Sequence, residues 1–81
     1  MRINLKFFGQ LRELTGRSDE QIEVEPGAKI EELARVLAER FPKINKHLAV
    51  VSFSVNSEYV RKEKQLQDGD EVGLLPPISG G

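Results

Sequence analysis

The chain has 81 residues, no cysteine, and 12 Lys and Arg against 13 Asp and Glu. A single domain is expected at that length, with roughly 60–65% of the unfolded surface buried on folding, too little for a core and a buried active-site cavity together. Disulfides and thiolate metal sites are excluded, and near-neutral charge gives nucleic acid or an anionic membrane little to hold.

The opening MRINLKFFGQ lacks a long apolar run, so neither a secretory signal nor a membrane span is expected, and a cytoplasmic protein is the default. RINLKFF alternates: Ile3, Leu5 and Phe7 share one face of a strand, while Arg2, Asn4, Lys6 and Phe8 share the other. Phe8 is the misfit there, a large apolar residue among polar ones. GQLRELTG, with Leu11 and Leu14 between two glycines, predicts a short helix or turn. EQIEVE alternates again, with Ile22 and Val24 inward, and Pro26-Gly27 ends it with turn chemistry.

From Lys29 to Phe41 the period becomes helical, and Ile30, Leu33, Ala34, Leu37 and Phe41 form one apolar stripe. Glu31 and Glu32 are each spaced for a weak ion pair with Arg35, and Pro42 closes the helix. PKINKHL reads as a connection. Its His47, the only histidine, lacks an acidic partner nearby in sequence, so a surface or loop role is expected over that of a general base.

AVVSFSVN predicts the third strand, with Val51, Phe53 and Val55 inward. Asn56-Ser57 turns the chain and EYV returns as a short fourth strand. Arg61, Lys62 and Lys64 follow, and fit a solvated edge or loop better than a phosphate site. After the DGDE turn, EVGLL is the last strand, with Val72 and Leu74 inward. Pro76 and Pro77 offer no amide donors, so the sheet is expected to end at about Leu75. Two strands, a long helix and further strands suggest an α+β domain, a β-grasp (ubiquitin-like) mixed sheet with the helix packed across one face. The expected division is a body over residues 1–76 and a flexible Gly-Gly tail over 77–81.

That tail has its own chemistry. Glycine has no side chain, so Gly80 and Gly81 after the small Ser79 make a thread thin enough for a narrow tunnel. Pro76-Pro77 is stiff and would aim the thread away from the body. A carboxylate at the tip is a poor acyl donor until ATP converts it to an acyl-adenylate. A sulfur donor displacing AMP would then leave a thiocarboxylate on Gly81, which requires no cysteine in the carrier.

INLKFFGQLRELTG, VNSEYV and above all LQDGDEVGLLPPISGG closely resemble the small, sulfur-carrier subunits of molybdopterin synthase, a ubiquitin-related family. The resemblance spans essentially the whole chain and departs at Leu74-Leu75, where the family commonly has two aromatics. It implies that Gly81 is adenylated by an E1-like enzyme using ATP, converted to a thiocarboxylate, and inserted with Ser79 and Gly80 into the large synthase subunit. There the sulfur passes to a cyclic pyranopterin phosphate to build the dithiolene that later holds molybdenum. The resemblance further implies two carriers used in succession or a heterotetramer of two small and two large subunits, no permanently bound cofactor or metal, and catalytic groups in the large subunit.

Phe8, Tyr59 and Leu75 all point away from the expected core by two-residue alternation, and with Pro76 and Pro77 they form the candidate partner-binding surface. Two other uses of such a chain stay open: sulfur carriage for thiamine thiazole synthesis, and conjugation to proteins as a ubiquitin-like modifier. An inert tail on a plain binding module is a third.

Overall fold

The computed structural model describes residues 1–77. Its elements run β1 (Arg2–Phe7), α1 (Gln10–Thr15), β2 (Asp19–Glu23), α2 (Ile30–Arg40), β3 (Ser52–Val55), β4 (Glu58–Val60) and β5 (Glu71–Leu75). Two single 3-10 turns, Pro42–Ile44 and His47–Ala49, lie between α2 and β3. The strands form one mixed sheet in the order β2-β1-β5-β3-β4. β1 and β5 are parallel neighbours at its centre, and the other pairs are antiparallel.

Alternation and helical period converge on one core. Ile3, Leu5, Phe7, Ile22, Val55, Val72 and Leu74 from the sheet pack with Leu11 of α1 and with Ile30, Leu33 and Leu37 of α2. Ala34 and Phe41 complete the stripe as half-buried residues. The ring of Phe41 meets that of Phe7 edge-on, with centroids 5.4 Å apart, a favoured aromatic geometry. Two core members come from segments that carry no period: Ile44 in the first 3-10 turn and Leu66 in the loop before β5, both buried.

The ends of α2 explain the segments around it. Its first amides have no partner within the helix. The Ile30 N–H donates to the Lys64 carbonyl at 3.0 Å and the Glu31 N–H to the Lys62 carbonyl at 3.1 Å. The backbone of the basic segment therefore caps the helix while Arg61, Lys62 and Lys64 expose their side chains. At the far end Phe41 has left the helical region, as expected before Pro42.

One expectation needs correction. Neither Glu31 nor Glu32 pairs with Arg35 among the described residues. The Glu32 carboxylate instead accepts the Lys29 N–H at 3.3 Å, a partner presented by the helix start itself. The charge cluster that does form joins other elements: Glu20 Oε2 lies 2.8 Å from Arg17 Nη1 and 3.5 Å from Arg40 Nη2. His47 lies, as expected, in the connection, half-buried in its 3-10 turn, and its Nδ1 has no hydrogen-bond partner among the described residues.

Candidate functional site

Strand register decides what the outer face of the sheet, away from α2, can offer. Asp19 pairs with Lys6, Lys6 with Gly73, Gly73 with Ser54, and Ser54 with Tyr59. Those five residues form one row across all the strands, and the middle member has no side chain. A β-carbon at Gly73 would lie 2.6 Å from Ser54 Oγ, 3.3 Å from Phe8 Cε2 and 3.5 Å from Leu75 Cδ1. The space over Gly73 is thus already taken up by Ser54, Phe8 and Leu75, and Gly73 itself is buried beneath them.

An open depression of about 210 Å³ lies here, lined by Phe8, Tyr59, Leu75, Ser54, Ser57 and Gly73, with Lys6 and Glu71 at its rim. Phe8 is 43% exposed and Tyr59 72% exposed, whereas Leu75 is half-buried. Lys6 Nζ is shared between Asp19 at 3.6 Å and Glu71 at 3.9 Å, so charge borders the apolar patch on one side. Val50, at the end of the second 3-10 turn, is a further exposed apolar side chain that alternation did not single out.

Two features, one of them dependent on glycine, set how β5 leaves the body. The Phe8 N–H donates to the Leu74 carbonyl at 3.2 Å, carrying the parallel ladder one residue past β1. Gly9 then takes φ 56°, a conformation that favours glycine, and a β-carbon there would sit 2.9 Å from Pro76 Cγ. The Pro76 ring therefore rests on the bare backbone of Gly9, next to Phe8, while Pro77 is exposed. Of the sequence-predicted site residues, Phe8, Tyr59 and Leu75 share the depression and Pro76 adjoins it. Ser79, Gly80 and Gly81 lie outside the described residues.

A second constellation, unread in the sequence beyond its turns, holds the depression in shape. Asn56 and Ser57 both have positive φ, 50° and 74°, as a two-residue hairpin loop requires. Asn56 Nδ2 donates to Asp70 Oδ1 at 3.0 Å, and Asn56 Oδ1 accepts the Glu71 N–H at 3.0 Å. Asp70, 9% exposed, also accepts the Gln67 N–H at 2.8 Å through Oδ2. Next to it the Asp68 carboxylate accepts the Arg2 N–H at 2.7 Å. The DGD turn is thereby a knot joining β1, β5 and the hairpin that carries Ser57 and Tyr59. A turn asparagine facing an acid-rich turn was the available signal, but only the fold brings them together.

Among the described residues, no group of three or more His, Asp or Glu side chains is placed to hold a metal ion. None of their helices is long and apolar enough to cross a membrane.

A five-strand mixed sheet in this order, with one principal helix across a face, defines a small ubiquitin-like β-grasp protein. The chain belongs to the ThiS family, whose model matches residues 5–81. It is 35% identical over 83 residues to the molybdopterin synthase sulfur carrier subunit of Chlamydomonas reinhardtii, covering 100% of each chain. Among solved structures it resembles a chain in the complex of subunits 1 and 2 of the Helicobacter pylori molybdopterin-converting factor. That chain is 26% identical, with a TM-score of 0.72 and 100% of each covered. It also resembles small archaeal modifier protein 1 of Methanosarcina acetivorans, 25% identical with a TM-score of 0.81, covering 99% of this chain and 96% of that one.

Proposed function

We propose that this chain is the sulfur-carrier subunit of a molybdopterin synthase. The Gly81 carboxylate attacks ATP on an E1-like enzyme, forming a glycyl-adenylate and releasing pyrophosphate. The terminal sulfur of a persulfide displaces AMP to form an acyl disulfide, and a thiol of the activating or sulfur-donating protein cleaves its S–S bond, releasing the terminal thiocarboxylate and leaving a protein disulfide. The tail Ser79-Gly80-Gly81 then enters the large catalytic subunit and delivers sulfur to a cyclic pyranopterin phosphate, helping to form the dithiolene. Two sulfurs per pterin suit a cytoplasmic heterotetramer of two small and two large subunits. ATP is consumed by the activating enzyme, and the carrier itself keeps no cofactor.

The end-to-end match with relatives named for this role carries the reading. The outer-face depression supports it: an exposed apolar patch of this kind marks a protein-binding surface, and β5 leads from it straight into Pro76-Pro77. Phe8, Tyr59, Leu75, Pro76 and Pro77 are accordingly the residues that dock the large subunit. Incubation with ATP, an E1-like activating enzyme and a sulfur source should raise the intact mass by about 16 Da, sulfur for oxygen, localised to Gly81. An unchanged mass would overturn the proposal.

The likeness to an archaeal modifier protein favours a second reading, in which the same adenylate is captured by a lysine amine to give an isopeptide bond. Ladders of heavier conjugates in the same incubation would support it.

A further inference from the structure

The sheet has two free edges, β2 and β4, and strand register fixes which backbone groups each one presents. The Asn56 N–H donates to the Glu71 carbonyl at 2.8 Å, so Ser52 and Ser54 likewise turn their backbone groups to β5, and Phe53 and Val55 turn theirs to β4. Val55–Glu58 and Phe53–Val60 are therefore the hydrogen-bonded pairs of the hairpin, and Tyr59 between them aims its N–H and C=O off the sheet. Arg61 follows the same alternation, and its N–H has no backbone acceptor among the described residues. We infer that β4 pairs antiparallel with β4 of a second copy of this chain, joining two five-strand sheets across a two-fold axis at Val60. This goes beyond the sulfur-carrier reading and does not depend on it.

The stretch Glu58-Tyr59-Val60-Arg61-Lys62 is complementary to its own reverse. With Val60 opposite Val60, the outward backbone groups of Tyr59 meet those of Arg61 of the second copy. The Arg61 N–H donates to the Tyr59 carbonyl, and the Tyr59 N–H to the Arg61 carbonyl, which has a lone pair left beside its bond from the Lys64 N–H at 3.0 Å. On the outer face each Arg61 guanidinium lies against the Tyr59 ring of the other copy, a cation–π pairing. On the face that α2 covers, Glu58 stands opposite Lys62 on both sides of the axis, unlike charges at cross-strand positions. Between them the two Val60 side chains meet, beside a trough of about 480 Å³ that Val51, Phe53 and Val60 line as half-buried residues. The β2 edge has the opposite character. Its DEQIE carries three carboxylates and no cation, and full antiparallel self-pairing would set Asp19 against Glu23 twice.

A three-residue edge strand buries well under the ~1,200 Å² of a standard interface, so the dimer is weak and forms with concentration. Sedimentation equilibrium of the full chain from about 10 µM to about 1 mM should show monomer giving way to dimer, with exchange of the Tyr59 and Arg61 amides slowing in step. Glu58→Lys and Lys62→Glu, both at exposed positions, should each weaken dimerisation by about tenfold at an unchanged melting temperature. The variant carrying both exchanges restores unlike charges and should dimerise like the parent chain. A chain that stays monomeric to about 1 mM overturns the inference; if those amides slow only when the large synthase subunit is added, the edge serves that protein instead. A dimer indifferent to the charge exchanges joins through another surface and overturns it equally. The mass gain at Gly81 tests sulfur carriage separately, so either idea can fail without the other.

Discussion

Phe7 and Phe8 are the same side chain one position apart, and a strand turns successive residues to opposite faces. Phe7 is 2% exposed, packed on Phe41 and the core, while Phe8 is 43% exposed beside the depression. Truncating them should therefore separate two kinds of loss. Phe7→Ala removes a buried ring and leaves a cavity, at a cost of about 3–5 kcal/mol in stability, enough to unfold much of so small a domain. Phe8→Ala should cost about 1 kcal/mol of stability, since its ring is only partly buried, yet weaken binding to the large subunit by about tenfold. Denaturant melts and a binding titration on both variants check the pair. A collapse in melting temperature with unchanged affinity for Phe8→Ala would make that residue part of the core instead.

Between elements, the Asp70–Asn56 knot is a sharp constraint, because a buried carboxylate is tolerated only when its oxygens are satisfied. Asp70→Ala strands Asn56 Nδ2 and the Gln67 N–H, and should cost about 2–4 kcal/mol. Asp70→Asn retains one acceptor oxygen and should recover part of that loss. Amide exchange at Asn56 and Glu71 would locate the damage in the hairpin and at the start of β5, and uniform exchange changes across the sheet would contradict a local role. The knot also shows where sequence reading stops. The strands, α2 and the outward placement of Phe8, Tyr59 and Leu75 were legible, because period alone fixes which face a residue takes. Ile44, Leu66 and the Asn56–Asp70 pair were not, since each is buried by elements distant in the chain and lies outside any periodic run. The Glu–Arg35 pairs failed for the converse reason: spacing allowed them, but Glu32 had an unsatisfied helix-end amide closer at hand. Within the site, the shared outward face of Phe8, Tyr59 and Leu75 followed from alternation, while the packing of Phe8 and Leu75 over Gly73 needed the register of the whole sheet at once.

At the scale of the whole molecule, the body and the chemistry are separable. The described hydrogen bonds and buried side chains that hold the sheet end by Leu75, and Pro76 adds its contact with Gly9. On the proposed sulfur-carrier reading, residues after Pro77 contribute through reach and the identity of the final atoms. Adding one alanine after Gly81 places a methyl group at the tip and lengthens the thread by roughly 3.5 Å. For a reaction that depends on placing a terminal carboxyl, a displacement above about 1 Å is severe, so sulfur loading and dithiolene formation should fall by about a hundredfold or more. Removing Gly80 and Gly81 should abolish both. The described core and depression are built from residues up to Leu75, so both variants are expected to melt with the parent chain. If docking through Phe8, Tyr59 and Leu75 is independent of the tail, both should also compete with the parent for the large subunit, acting as inhibitors of synthesis in a reconstituted mixture. A variant that melts normally but fails to compete would mean that the tail, rather than the sheet face, supplies most of the binding free energy.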